Sequence, residues 1–135
     1  METVETQLPS SARSPQMARA FLRSALQTWA LDGFGDVTEL LVTELVANVV
    51  THVDAPMTVR AHRTESAVRV EIEDPSEEVP VLRHPDAAEE HGRGVLLVDQ
   101  LSNAWGVDVH PGGKTVWFEL DVSTATAEAH DRSMC

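Results

Sequence analysis

Hydrophobic positions along the chain fall into segments of two periods. Residues Thr3 to Leu8 alternate weakly, with Val4, Thr6 and Leu8 on one side, and read as an edge strand. Met17, Phe21, Ala25 and Trp29 then recur every four residues, with Leu22 and Leu26 widening the stripe; this predicts an amphipathic helix over about 15–30. Ser14-Pro15 reads as its start, with Ser as cap and Pro at the first helical position, where a missing N–H costs nothing. Leu31-Asp32-Gly33-Phe34-Gly35 reads as a turn whose glycines are free to take positive φ. A second helix is expected from Asp36, with Asp36 as cap and Glu39 closing a capping box. Val37, Leu40, Leu41, Leu45, Val49 and Val53 form its apolar stripe, and Pro56 ends it.

Downstream the period changes to two. Met57, Val59 and Ala61 alternate in one segment and Val68, Val70 and Ile72 in the next, joined by Thr64-Glu65-Ser66. This is the signature of an antiparallel hairpin with one wet face. From Pro75 to His91 periodicity vanishes while prolines and acids accumulate, as in a functional or mobile loop. Gly94 to Leu101 is helical in pattern, Trp105 to Val109 a strand, Pro111-Gly112-Gly113 a turn, and Thr115 to Val122 a strand with Val116, Phe118 and Leu120 inward. Strands clustered in hairpins favour an α+β two-layer sandwich: a mixed, mostly antiparallel sheet covered on one face by helices. The expected organisation is an extension over 1–13, one domain over 14–122 and a frayed tail over 123–135.

Composition narrows the function. The chain has 135 residues and a net charge of −12, which suits one acidic domain. That sign argues against duplex nucleic acid and an anionic membrane as main partners, since both need a surplus of Lys and Arg. No apolar run approaches the roughly 20 residues of a membrane span. The opening METVETQLPSSARS has no apolar signal core, so a cytoplasmic location is expected. The single thiol, Cys135, excludes an internal disulfide.

Several residues are candidates for chemistry. Glu44 and Asn48 are four apart and share one face of a strongly apolar helix, with Thr51 and His52 continuing the line. An Asn oxygen suits Mg²⁺ held against substrate phosphates, and a Glu one turn away can accept a proton. A solvent-edge strip is the alternative. Asp74 closes the strand VRVEIED before Pro75, where its carboxylate can accept from an exocyclic amine or simply begin an Asp-Pro turn. His91-Gly92-Arg93-Gly94-Val95 precedes a helix, where backbone N–H groups and the helix dipole favour phosphate; it is equally a helix-start turn. Gly112-Gly113-Lys114-Thr115 reads as a hairpin turn, with Thr115 directed toward the crevice between sheet and helices. No His pair has metal-ligand spacing on a helix.

Taken in order, Glu-x-x-x-Asn on a helix, Asp after a hairpin strand, a loop, Gly-x-Gly before a helix and Thr on the last strand resemble the ATP-binding domain shared by histidine kinases, Hsp90, gyrase B and MutL. TELVANVVTH, HGRGVLLVDQLSNAWGV and GGKTVWFEL look most like its stand-alone anti-sigma-factor serine/threonine kinase branch, represented by SpoIIAB and RsbW. The likeness covers residues 14–122. It implies a Bergerat-type ATP-binding fold, Mg²⁺ on Asn48, and Glu44 as general base toward a partner's serine. It further implies Asp74 on the adenine amine, with Thr115 assisting through water. Gly92, Arg93, Gly94 and Val95 would lie around the phosphates under a lid formed by 75–91. Implied partners are a sigma factor and an anti-anti-sigma protein of STAS type, with the chain itself a homodimer.

One departure matters. The Asp-x-Gly-x-Gly of that family is here Asp74-Pro75-Ser76-Glu77-Glu78, so Ser76 stands where the first glycine would be and the backbone is stiffer. Three functions therefore stay open: a serine/threonine kinase, supported by Glu44; a non-catalytic ATP-binding or degenerate interaction module, supported by the lost glycines; and a stand-alone ATPase.

Overall fold

The computed structural model describes residues 2–79 and 97–122. It comprises β1 (Glu2–Leu8), α1 (Ser14–Thr28), a 3-10 turn (Asp32–Phe34), α2 (Gly35–Asn48), a π-helical turn (Val49–Val53), β2 (Met57–Arg63), β3 (Ala67–Asp74), a helical segment over 97–101, β4 (Ala104–His110) and β5 (Gly113–Asp121). The strands form one sheet in the order β1-β2-β3-β5-β4. Every pairing in it is antiparallel, so the mixed character expected from sequence does not occur among the described residues. Most of the expected lid, the start of the third helix at residue 94 and the tail over 123–135 lie outside the described residues.

Period-two alternation sets the two faces of the sheet. Val68, Val70, Ile72 and Asp74 of β3 are buried, as are Lys114, Val116, Phe118 and Leu120 of β5. The register pairs Val68 with Leu120, Val70 with Phe118, Ile72 with Val116 and Asp74 with Lys114, so these side chains share the inner face. The helices cover that face, α1 against β1 and β2 and α2 against β3. Ala18, Leu22, Ala25 and Leu26 of α1 and Leu41, Val42, Leu45 and Val46 of α2 close the core. Val98 is wholly buried, and the Trp105 indole N–H donates to Asp99 at 2.9 Å, tying the 97–101 segment to β4.

Local details depart from the sequence reading in four places. Ser14 does not cap α1: it is the first helical residue, wholly buried, and its hydroxyl donates to the Pro9 carbonyl. The stripe of α1 is centred one residue along from that expected, so Ala18 is buried while Met17 is 44% exposed. Neither glycine of the 31–35 turn takes positive φ; Ala30 does, at 58°. α2 begins at Gly35 with no side-chain cap, because Glu39 is drawn to Arg23 of α1 at 2.5 Å instead of folding back as a capping box. Leu40 of the predicted stripe is correspondingly 41% exposed.

Two glycines of the last hairpin are fixed by geometry. Gly112 has φ +82°, which an L side chain rarely adopts. Gly113 is held against Asp74, whose carbonyl oxygen would overlap any β-carbon placed there.

Candidate functional site

Asp74 is the last residue of β3, and parity turns its side chain to the helix-covered face. Its carboxylate is 1% exposed. Oδ1 accepts from the Ser76 backbone N–H at 2.8 Å and from Lys114 Nζ at 3.0 Å. The first of these bonds makes Asp74-Pro75-Ser76 an Asx-type turn, which substitutes for the backbone freedom of a glycine. Lys114 Nζ also donates to the Ser76 carbonyl at 3.4 Å. Oδ2 has no hydrogen-bond partner among the described residues although it is inaccessible to water. A buried carboxylate oxygen without a donor costs about 1–3 kcal/mol or more, which a ligand donor would recover.

Lys114 is a residue the sequence reading missed. Thr115 does not face Asp74: it pairs with Glu73 on the opposite face, and its hydroxyl lies 3.4 Å from His110 Nε2. The signal was present, because inward Val116, Phe118 and Leu120 place Lys114 inward and Thr115 outward by the same alternation.

Glu44 and Asn48 lie on α2 above β3. The Arg23–Glu39 ion pair turns one flank of α2 toward α1. At about 100° per residue, Glu44 and Asn48 fall on the opposite flank, beside the buried Leu41 and Leu45. Both are half-buried, and neither side chain makes a hydrogen bond or ion pair with another described residue. Asn48 is the last α-helical residue; the chain then widens into the π turn, which Asp54 ends in a left-handed conformation with φ 51°. Thr51 and His52 are consequently exposed instead of continuing the Glu44–Asn48 line. Single π turns within helices recur at functional sites.

Ser76 is half-buried beside Asp74, and Glu77 and Glu78 are exposed, so their charge does not enter the crevice. Gly92, Arg93, Gly94 and Val95 lie outside the described residues. No cluster of three or more His, Cys, Asp or Glu residues able to hold a metal occurs among the described residues. An Asn-centred Mg²⁺ that leans on phosphate oxygens does not require one.

The opposite face of the sheet is polar and paired. Arg60 joins Glu73 at 2.7 Å, His62 joins Glu71 at 2.9 Å, and Arg69 bridges Glu71 and Glu119 at 2.9 and 3.1 Å. Burial pushes the Glu71 carboxyl up, but hydrogen bonds from His62 and Arg69 outweigh it and hold the group below its usual range. Arg69 also stacks 4.1 Å over the Trp117 ring. An open cleft of about 350 Å³ at the strand ends is lined by Thr58, Glu73 and His110 of this outer face together with Met57, Asp74 and Pro75. Glu44 and Asn48 do not line it.

Comparison with known proteins agrees with this fold. The family model of the histidine kinase-like ATPase domain matches residues 8–120. Among solved structures, the RsbU and RsbW domains of Rv1364c from Mycobacterium tuberculosis superpose with a TM-score of 0.68 at 18% sequence identity. That match covers 89% of this chain and 32% of the other, so the chain spans about a third of the solved protein's length. No curated protein matches. The matched span takes in the whole of α1 and α2 and strands β2 to β4; the chain belongs to the histidine kinase-like ATPase domain family.

Proposed function

We propose that this chain is an ATP-binding anti-sigma regulator of the cytoplasm that phosphorylates a serine of an anti-anti-sigma partner and sequesters a sigma factor. The observation that carries the nucleotide reading is Asp74 Oδ2: a buried acceptor, facing the helix layer, with no donor among the described residues. An adenine amine is a donor of the right kind for it. Family membership implies ATP, and the residues present fit it.

In this reading Asp74 holds the adenine amine, Ser76 shapes the turn that presents the carboxylate, and the oxygen of Asn48 holds Mg²⁺. Gly92, Arg93, Gly94 and Val95 bind phosphate oxygens through backbone N–H groups and the Arg93 guanidinium. When bound, ATP·Mg²⁺ supplies the phosphoryl group, and transfer then depends mainly on positioning and charge neutralisation. Glu44 takes the proton of the partner's serine hydroxyl, as its place one turn before Asn48 on the same flank of α2 allows. Thr115 has no part in holding the base, since it lies on the other face of the sheet.

A second reading is favoured by the Asp74–Lys114 ion pair and by the Pro75-Ser76-Glu77-Glu78 sequence: a nucleotide-binding interaction module without transfer. Labelled ATP·Mg²⁺ incubated with the chain and a co-encoded STAS-type partner separates the two. Label on a partner serine that disappears with Glu44→Ala identifies the kinase, whereas nucleotide binding without transfer identifies the module. Absence of any ATP binding in calorimetry would end both. The kinase reading includes a homodimer, for which light scattering should give twice the 14.8 kDa chain mass.

A further inference from the structure

Lys114 stands directly across from Asp74 on the inner face, with its side chain 7% exposed. Two donors, Lys114 Nζ at 3.0 Å and the Ser76 N–H at 2.8 Å, converge on the same oxygen, Oδ1. Oδ2 is left without any among the described residues. The carboxylate is therefore asymmetric, one oxygen bonded within the protein and the other buried without a donor. We propose that Lys114 is a base-selecting residue: by taking the lone pair of Oδ1 that the Ser76 N–H leaves, it limits Asp74 to one acceptor and sets the site for adenine against guanine. This rests on the nucleotide reading of the crevice given above.

The selection follows from the edges of the two purines. Adenine presents one exocyclic amine beside the N1 acceptor, and a single carboxylate oxygen satisfies that amine. Guanine presents N1–H and its 2-amino group side by side, two donors matched to the two oxygens of an unencumbered carboxylate. With Oδ1 held by Lys114, guanine at Asp74 keeps one donor buried and unpaired, and its desolvation is not recovered. A lysine whose only task is to join β5 to β3 would affect all purine nucleotides alike.

Calorimetric titration of the full chain with the Mg²⁺ complexes of ATP, GTP and inosine triphosphate tests this. The native chain should bind ATP at least about tenfold more tightly than GTP. Inosine triphosphate, which lacks the 2-amino group, should fall between them. Lys114→Thr returns one lone pair of Oδ1 while the Ser76 N–H keeps the other, and should lower the ratio of the GTP to the ATP dissociation constant at least about tenfold. Equal losses for both nucleotides would make Lys114 a structural tie, and equal gains would make it an obstruction; either overturns the proposal. Thermal melting by circular dichroism reports whether Lys114→Thr folds. If it does not, the native chain decides, because GTP binding as tightly as inosine triphosphate overturns the proposal without any variant. Failure of the native chain to bind ATP is a separate outcome that removes the nucleotide reading itself.

Discussion

Gly113 and the carbonyl of Asp74 are packed so closely that no β-carbon fits between them. This contact sets where β3 ends relative to β5, and so where the Asp74 carboxylate meets Lys114. Gly113→Ala must move one backbone or the other, and we expect it to destabilise the fold by about 1–3 kcal/mol. It should also weaken ATP binding, because the displaced backbone carries the carboxylate proposed to read the base. Gly112→Ala is the control: open space surrounds it and only its φ of +82° is strained, so it should cost about 1 kcal/mol with little change in affinity. Urea denaturation with parallel calorimetry checks the pair. Equal effects of the two substitutions on ATP affinity would contradict the account.

The hairpins were legible because a strand half-buried in a two-layer fold must alternate, and Val68, Val70 and Ile72 against Val116, Phe118 and Leu120 do so without exception. Helix starts were less legible. Asp36 and Glu39 satisfy a capping pattern, yet Arg23, far off in sequence, takes the Glu39 carboxylate, and a tertiary ion pair is invisible to a local rule. Ala30 in a left-handed conformation beside two available glycines is likewise set by how α1 must hand over to α2. The π turn after Asn48 has no sequence signal at all, and it ended the polar line drawn through Thr51 and His52. At the site, Asp74 was found from its place at a strand end. Lys114 was missed because GGKT reads as a turn, although parity on β5 assigns it inward.

Glu71 makes the stability of the sheet depend on pH in the acid range. Its folded-state pKa is depressed, by hydrogen bonds from His62 and Arg69 that outweigh the opposing effect of burial. A depressed carboxyl contributes stability that is fully present above its unfolded value, here 4.5, and is lost as pH falls through the lower folded value. The melting temperature should therefore decline below about pH 4.5 and more steeply in the native chain than in Glu71→Gln. Parallel acid limbs in the two proteins, measured by thermal melting from neutral pH to pH 3, would show that Glu71 is not the titrating group.

Trp117 lies across Gly106 of β4 and beneath the Arg69 guanidinium, so the indole is held on both sides. A β-carbon on Gly106 would come within 2.7 Å of the ring. Gly106→Ala should push the indole off the sheet, costing about 1–3 kcal/mol and changing the emission of Trp117. Arg69→Met should change that emission too while leaving β4 paired. An unchanged spectrum in Gly106→Ala would mean that the ring is not packed against this strand.

Glu44 and Asn48 share one flank of α2 but should separate cleanly in function. Asn48 is the proposed metal ligand, so Asn48→Ala should cost at least about tenfold in ATP affinity when Mg²⁺ is present and little when it is chelated. The fold should persist, because the Asn48 side chain makes no hydrogen bond to another described residue and lies at the edge of the buried stripe. Glu44 is the proposed proton acceptor, so Glu44→Ala should leave ATP affinity within a few-fold and slow phosphoryl transfer about 10²- to 10⁴-fold. The two losses differ in kind: one appears in a titration and depends on metal, the other appears only when a partner hydroxyl is offered. Calorimetry with and without Mg²⁺, followed by transfer of labelled phosphate to the partner, reads both on the same preparations. If Glu44→Ala abolished nucleotide binding, or if Asn48→Ala were insensitive to Mg²⁺, the division of labour along α2 would be wrong even with ATP in the crevice.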